Sequence, residues 1–151
     1  MTVRAAVRED STALANMLDA FNREFDEPSP GPLELEGRVR RFIVEELKVY
    51  LVSGDGPDGF AQLSLNESVW SDGPVCLIEE LYVVPELRGR GRGRALMEAI
   101  FELAENRGAS GLEVITGEDD TAARRLYESF GFRNEIEGAS NSRSLFYERE
   151  L

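Results

Sequence analysis

A chain of 151 residues, 42% hydrophobic and 30% charged, is sized for a single domain over 1–151 with one sizeable core. Its net charge of −12 disfavours nucleic acid, whose phosphates dominate such binding, and suits a small cationic partner. With no histidine and one cysteine, Cys76, there is no internal disulfide and no thiolate cluster for a metal, so any general base is a carboxylate or, less readily, Lys, Tyr or Cys.

Residues 2–8 alternate apolar Val3, Ala5 and Val7 with other types, the pattern of a half-exposed first strand. Asp10 or Ser11 then caps a helix whose Leu14, Met17, Leu18, Phe21 and Phe25 share one face, and Pro28, Pro30, Gly31 and Pro32 break it. A second helix, from Leu33 to about Glu46, buries Leu35, Val39, Phe42 and Ile43. Residues 48–53 and 60–66 form two strands around a turn rich in Gly, Asp and Pro, and 71–74 turn the chain into a longer strand over 75–84. An amphipathic helix after Arg94 stops at Gly108, and 112–116 form a short buried strand. Asp119 or Asp120 caps a last helix that ends at Gly131, and two more strands are expected at 132–136 and 145–150. The order implies an α/β fold: a mixed, mostly antiparallel sheet with flanking helices and one right-handed βαβ crossover. No apolar run approaches the ~20 residues that span a membrane, and no signal peptide opens the chain, so a cytoplasmic location is expected.

The strand over 75–84 runs into Arg88-Gly89-Arg90-Gly91-Arg92-Gly93-Arg94, four arginines that leave −16 for the rest of the chain. Alternate glycines ahead of a helix start bring backbone N–H groups and the positive end of a helix dipole toward one point, a phosphate site. The spacing is neither a Walker A loop nor a dinucleotide fingerprint. A single short arginine–glycine copy in an acidic domain is a poor RNA-binding segment.

Arg88-x-x-Gly91-x-Gly93 resembles the Arg/Gln-x-x-Gly-x-Gly/Ala signature of the GCN5-related N-acetyltransferases, the GNAT superfamily. Glu80-Leu81-Tyr82-Val83-Val84-Pro85 resembles that family's fourth strand, and Leu126-Tyr127-Glu128-Ser129-Phe130-Gly131-Phe132 resembles its late helix. The opening Val3-Arg4-Ala5-Ala6-Val7-Arg8 has the look of its first strand. One departure is Asp120, where family members commonly carry Asn; an ionised carboxylate accepts hydrogen bonds but cannot donate.

The resemblance implies acetyl-CoA as co-substrate. Its pantetheine arm would lie along the main chain of Leu81, Tyr82 and Val83, and its pyrophosphate in Gly89, Arg90, Gly91, Arg92, Gly93 and Arg94, with Arg88, Asp120 and Ala123 as further contacts. A strand N–H would polarise the acetyl carbonyl. Tyr127 is implied as the acid that protonates the departing thiolate. An amine attacks only when neutral, so a base is needed; Glu79 and Glu80 are the candidates, and strand alternation puts them on opposite faces. The run 78–83, with Trp70 before it, is most similar to the polyamine acetyltransferases, which singles out Glu79. Glu24, Asp26, Trp70 and Glu80 are candidates to line the acceptor cleft.

The expected activity is therefore acetyl transfer to a small primary amine by direct attack in a ternary complex. Acetylation of a protein N-terminus or lysine, and a non-catalytic acyl-CoA sensor, remain alternatives. The apolar run Leu145-Phe146-Tyr147 suits either a homodimer interface or the finish of the sheet.

Overall fold

Three strands fold back on one another because short turn-rich links join segments that each bury at least one face, and a short first strand joins them after two intervening helices. In the computed structural model, which describes residues 2–134 and 145–151, these are β1 (Val3–Ala5), β2 (Val49–Ser53), β3 (Gly59–Asn66) and β4 (Val75–Val83). They pair antiparallel in that order, and β5 (Gly111–Val114) adds to β4 in parallel, giving the order β1-β2-β3-β4-β5. Parallel pairing requires a crossover, supplied by helix α3 (Arg92–Asn106). The mixed α/β architecture expected from the sequence is the one observed.

Helices α1 (Ser11–Glu24) and α2 (Pro32–Val44) lie between β1 and β2. Pro32 at the first turn of α2 follows Gly31, a good helix start because the missing N–H is not needed there. Leu14 and Met17 of α1 and Val39 of α2 pack on Tyr50, Val52, Phe60 and Tyr82, which share one face of the sheet. The opposite face carries Ala61, Leu63, Cys76 and Ile78, all buried, and α3 packs across the strands with Leu96, Met97 and Ile100 buried. Gly73 lets two loops meet: a Cβ there would stand 2.0 Å from the Gly108 carbonyl oxygen, while Ser110 N–H donates to Pro74 O at 2.9 Å.

The chain divides into two units, Met1–Gly117 and Glu118–Leu151. The second contains α4 (Thr121–Ser129), capped by Asp120, whose carboxylate accepts from Ala123 N–H at 3.1 Å. Gly131, at φ +85°, ends its C-terminal turn.

Three expectations change. The strand at 112–116 is not buried: among the described residues β5 pairs with β4 alone, its side chains alternate exposed and half-buried, and Ile115 is 83% exposed. Residues 145–150 form no strand, since none of them has a ladder partner among the described residues; Leu145, Phe146 and Tyr147 are exposed. Of the strand at 132–136, positions 132–134 are irregular and 135–136 lie outside the described residues. No helix among the described residues is long and apolar enough to cross a membrane.

Candidate active site

Strands β4 and β5 pair only from Val75 to Ile78 against Gly111 to Val114. Beyond Ile78 the β5-facing edge of β4, which carries the backbone groups of Leu81 and Val83, has no ladder partner among the described residues, so those groups can meet another chain of amides; the groups of Tyr82, in step with the Val84 N–H that donates to Asp58 O, face β3. Arg88 Nε donates to the Val83 carbonyl at 2.9 Å, which engages one of those groups.

At the same point the β3–β4 register slips. Leu63 pairs with Ile78 and Gln62 with Glu80, so Glu79 is the extra residue of a β-bulge. The bulge overturns the alternation expected of this pair. Glu80 shares the face of its partner Gln62, and Glu79 is bonded to the side chains of Gln62 and Ser64, which lie on that same face. Both carboxylates therefore point toward the side that carries Tyr50 and Tyr82.

Their environments differ. Glu79 receives Lys48 Nζ at 2.6 and 2.7 Å, together with Ser64 and Gln62. Four hydrogen bonds from these three groups occupy the acceptor sites a carboxylate offers. Burial acts to raise its pKa, but the hydrogen bonds from Lys48, Ser64 and Gln62 outweigh that and leave it below the usual carboxylate range. Glu80 accepts no hydrogen bond among the described residues, and burial, then the neighbouring Glu79 charge, push its pKa up. A carboxyl whose charge is unsettled by its surroundings gains more from a proton than an ordinary one. Tyr50 completes a row Tyr50-Gln62-Glu80 across β2, β3 and β4. Its hydroxyl is buried without a hydrogen-bond partner among the described residues, and burial and then both carboxylates drive its pKa upward.

The arginine–glycine loop follows a 3-10 turn, Pro85–Leu87. Gly89 and Gly91 take φ +71° and +85°, a region side chains avoid, and Gly91 is the N-cap of α3. Nothing stands within 4 Å of a Cβ built on either, so the backbone borders open space, and the first amides of α3 point out without intrahelical partners. That cradle fits a pyrophosphate. The arginines have divided tasks. Arg88 forms a two-pronged pair with Glu24 at 2.6 and 2.7 Å and lies over the Tyr82 ring, while Arg92 reaches Asp58 at 2.9 Å. Asp58 also accepts from Ser53 Oγ at 2.7 Å, tying the β2–β3 turn to the start of α3. Arg94 pairs with Glu98 on the helix surface at 3.3 Å, and Arg90 is exposed. Gly93 lies in the first turn of α3.

Glu24 is thus committed to Arg88, whose hydrogen bond lowers its pKa against the effect of burial. Asp26 sits at φ +54° in the turn after α1, and Trp70 is 93% exposed in the β3–β4 loop. In the second unit Tyr127 is buried on α4, its ring 5.8 Å from that of Phe132, and Ala123 N–H is taken by the Asp120 cap. Sequence reasoning passed over Lys48, Tyr50, Asp58, Gln62 and Ser64. They come from β2 and the residue before it, β3, and the turn between them, and no local pattern joins them to Glu79 and Glu80.

The profile of the Acetyltransferase (GNAT) family matches residues 13–132. The chain belongs to that family. It is an acetyl-CoA-dependent N-acetyltransferase, and the cradle before α3 and the open edge of β4 have the character such a co-substrate needs. Among its relatives is an uncharacterised N-acetyltransferase of Archaeoglobus fulgidus, 32% identical over 154 residues, covering 94% of this chain and 99% of that one. The aminoglycoside N(6′)-acetyltransferase type 1 of Salmonella typhimurium is 24% identical over 109 residues, covering 70% of this chain and 71% of that one. The crystal structure of an acetyltransferase from Arthrobacter sp. FB24 matches with a TM-score of 0.88 at 40% identity, covering 100% of this chain and 96% of that one. Among the described residues no group of three or more His, Cys, Asp or Glu side chains could hold a metal ion.

Proposed function

We propose that this acetyltransferase acts on a small cationic primary amine and that Glu80 accepts the proton the amine loses. The observation that carries this is the bulge at Glu79, which turns two carboxylates to one face where β4 leaves β5, one saturated by Lys48, Ser64 and Gln62 and the other open. Acetyl-CoA supplies the activated acyl group. An alkylamine is mostly an ammonium near neutrality, and the neutral fraction must be generated or captured in the site. As nitrogen bonds to the acetyl carbon its remaining protons become strongly acidic, so a carboxylate such as Glu80 is basic enough to take one. Glu79, its charge matched by Lys48, does not compete for that proton. Main-chain N–H groups on the open edge of β4 stabilise the oxyanion, and Tyr127, assigned by family resemblance, returns a proton to the CoA thiolate. The cationic acceptor accords with the chain's −12 charge and with a relative named for aminoglycosides, which are amines.

The test is CoA release from acetyl-CoA across a panel of diamines, polyamines, aminoglycosides, amino acids, and peptides with a free N-terminus or an internal lysine. Small cationic amines are expected to show the highest kcat/KM. Preference for neutral or anionic peptides would replace the small-amine acceptor with a protein one.

A further inference from the structure

The proposed function accounts for Glu79 and Glu80 but leaves the Tyr50 hydroxyl unexplained. This residue is 3% exposed, its oxygen has no hydrogen-bond partner among the described residues, and leaving such a group unmet in the interior is costly. It does not sit at random. Tyr50 and Glu80 flank Gln62 on one row, their backbones separated by two strand spacings, about 10 Å. The Gln62 amide between them is drawn aside to Glu79, so it does not satisfy Tyr50. Glu80, half-buried and bonded to nothing among the described residues, is on the same face and near enough for its charge to act on that hydroxyl.

We propose that Tyr50 is an acceptor-binding residue, its hydroxyl oxygen and the Glu80 carboxylate each taking one N–H of the attacking amine. The inference rests on the amine-acetyltransferase reading given above and adds a rule of selection to it. A neutral primary amine has two N–H bonds and one lone pair. With one N–H held by Glu80 and the other by Tyr50, the lone pair is left to attack the acetyl carbon, and Glu80 takes its proton as the C–N bond forms and thiolate leaves. A secondary amine has one N–H and leaves either Tyr50 or Glu80 unmet, so the pair selects primary amines. The hydroxyl adds no charge, which separates its effect from the attraction of Glu80 for any cation.

The experiment compares the best primary amine with its N-methyl counterpart in wild type and in Tyr50→Phe. Wild type should favour the primary amine by about tenfold or more in kcat/KM, and Tyr50→Phe should lose about tenfold on the primary amine but little on the methylated one, narrowing the ratio. Because the ring stays and an unmet hydroxyl goes, the melting temperature should hold or rise and acetyl-CoA affinity should not change. A variant that keeps wild-type kcat/KM on the primary amine overturns the inference while leaving the acetylation of amines intact. An unchanged ratio, with both substrates slowed alike, overturns it too, because the methyl group was then rejected by bulk alone. A lower melting temperature with full activity makes Tyr50 a packing residue. If wild type acetylates no amine, the broader reading falls first, and that failure is visible before any variant is made.

Discussion

Glu79 and Glu80 are adjacent and chemically identical, and only their surroundings give them different work. Glu79→Gln removes the countercharge of Lys48, whose side chain is 24% exposed, so this variant should lose on the order of 2 kcal/mol of stability in denaturant titration. Glu80→Gln should do the reverse. A carboxyl with a folded pKa above its unfolded one binds extra protons in the native state, so its contribution to stability fades as pH rises through that interval. Removing it should leave the protein as stable or more stable at neutral pH, while kcat/KM for amines falls about 100-fold, the scale of a lost general base. The loss should shrink as pH approaches the amine's own pKa, where the neutral nucleophile is abundant. If Glu79→Gln shows that pH-dependent loss and Glu80→Gln does not, the proton acceptor is Glu79. Tyr127→Phe retains the ring against Phe132 and deletes the acid; turnover should drop about 100-fold at unchanged acetyl-CoA affinity. Wild-type turnover there would reduce Tyr127 to a packed helix residue.

At the scale of elements, the bulge and the glycine loop do the positioning. The bulge adds one residue to β4 and so changes which side chains face the helices α1 and α2, while the parting of β4 from β5 leaves part of the β4 edge open among the described residues. The loop is held from both sides, by Arg88 on Glu24 at the end of α1 and by Arg92 on Asp58 at the β2–β3 turn. Gly91→Val puts a branched side chain at φ +85° and into the space a pyrophosphate would fill. No protein atom stands within 4 Å of that Cβ, so a folded variant is expected, and calorimetry should find acetyl-CoA binding abolished. Unchanged affinity would move the pyrophosphate elsewhere. Most of these elements were legible because their signals are local: apolar spacing in α1 and α3, Pro32 and Gly108 as punctuation, and glycines ahead of a helix. The burial expected of β5 is not found because apolar residues look alike in a covered strand and an open one.

For the whole molecule, the surplus of acid is the property with a kinetic consequence. The net charge of −12 attracts cations over a distance set by ionic strength, and surface charges beyond about 10 Å are screened at 0.1 M salt. Raising salt from 0.02 to about 0.3 M should therefore lower kcat/KM for a polyamine more steeply than for a monoamine. Equal slopes would show that the field of the protein does not steer the acceptor.

The sequence by itself determined the order of elements through α4, the glycine turn ahead of α3, and the family. These depend on residues close together in the chain. The tertiary structure decided which carboxylate is open. That choice depends on register between strands: Ile78 and Glu80 pair with the adjacent Leu63 and Gln62, so the extra residue falls at Glu79, where Lys48, Gln62 and Ser64 from β3 and the entry to β2 converge. No spacing along the chain encodes that convergence, because pairing is settled by the whole sheet packing its apolar faces against α1, α2 and α3 at once.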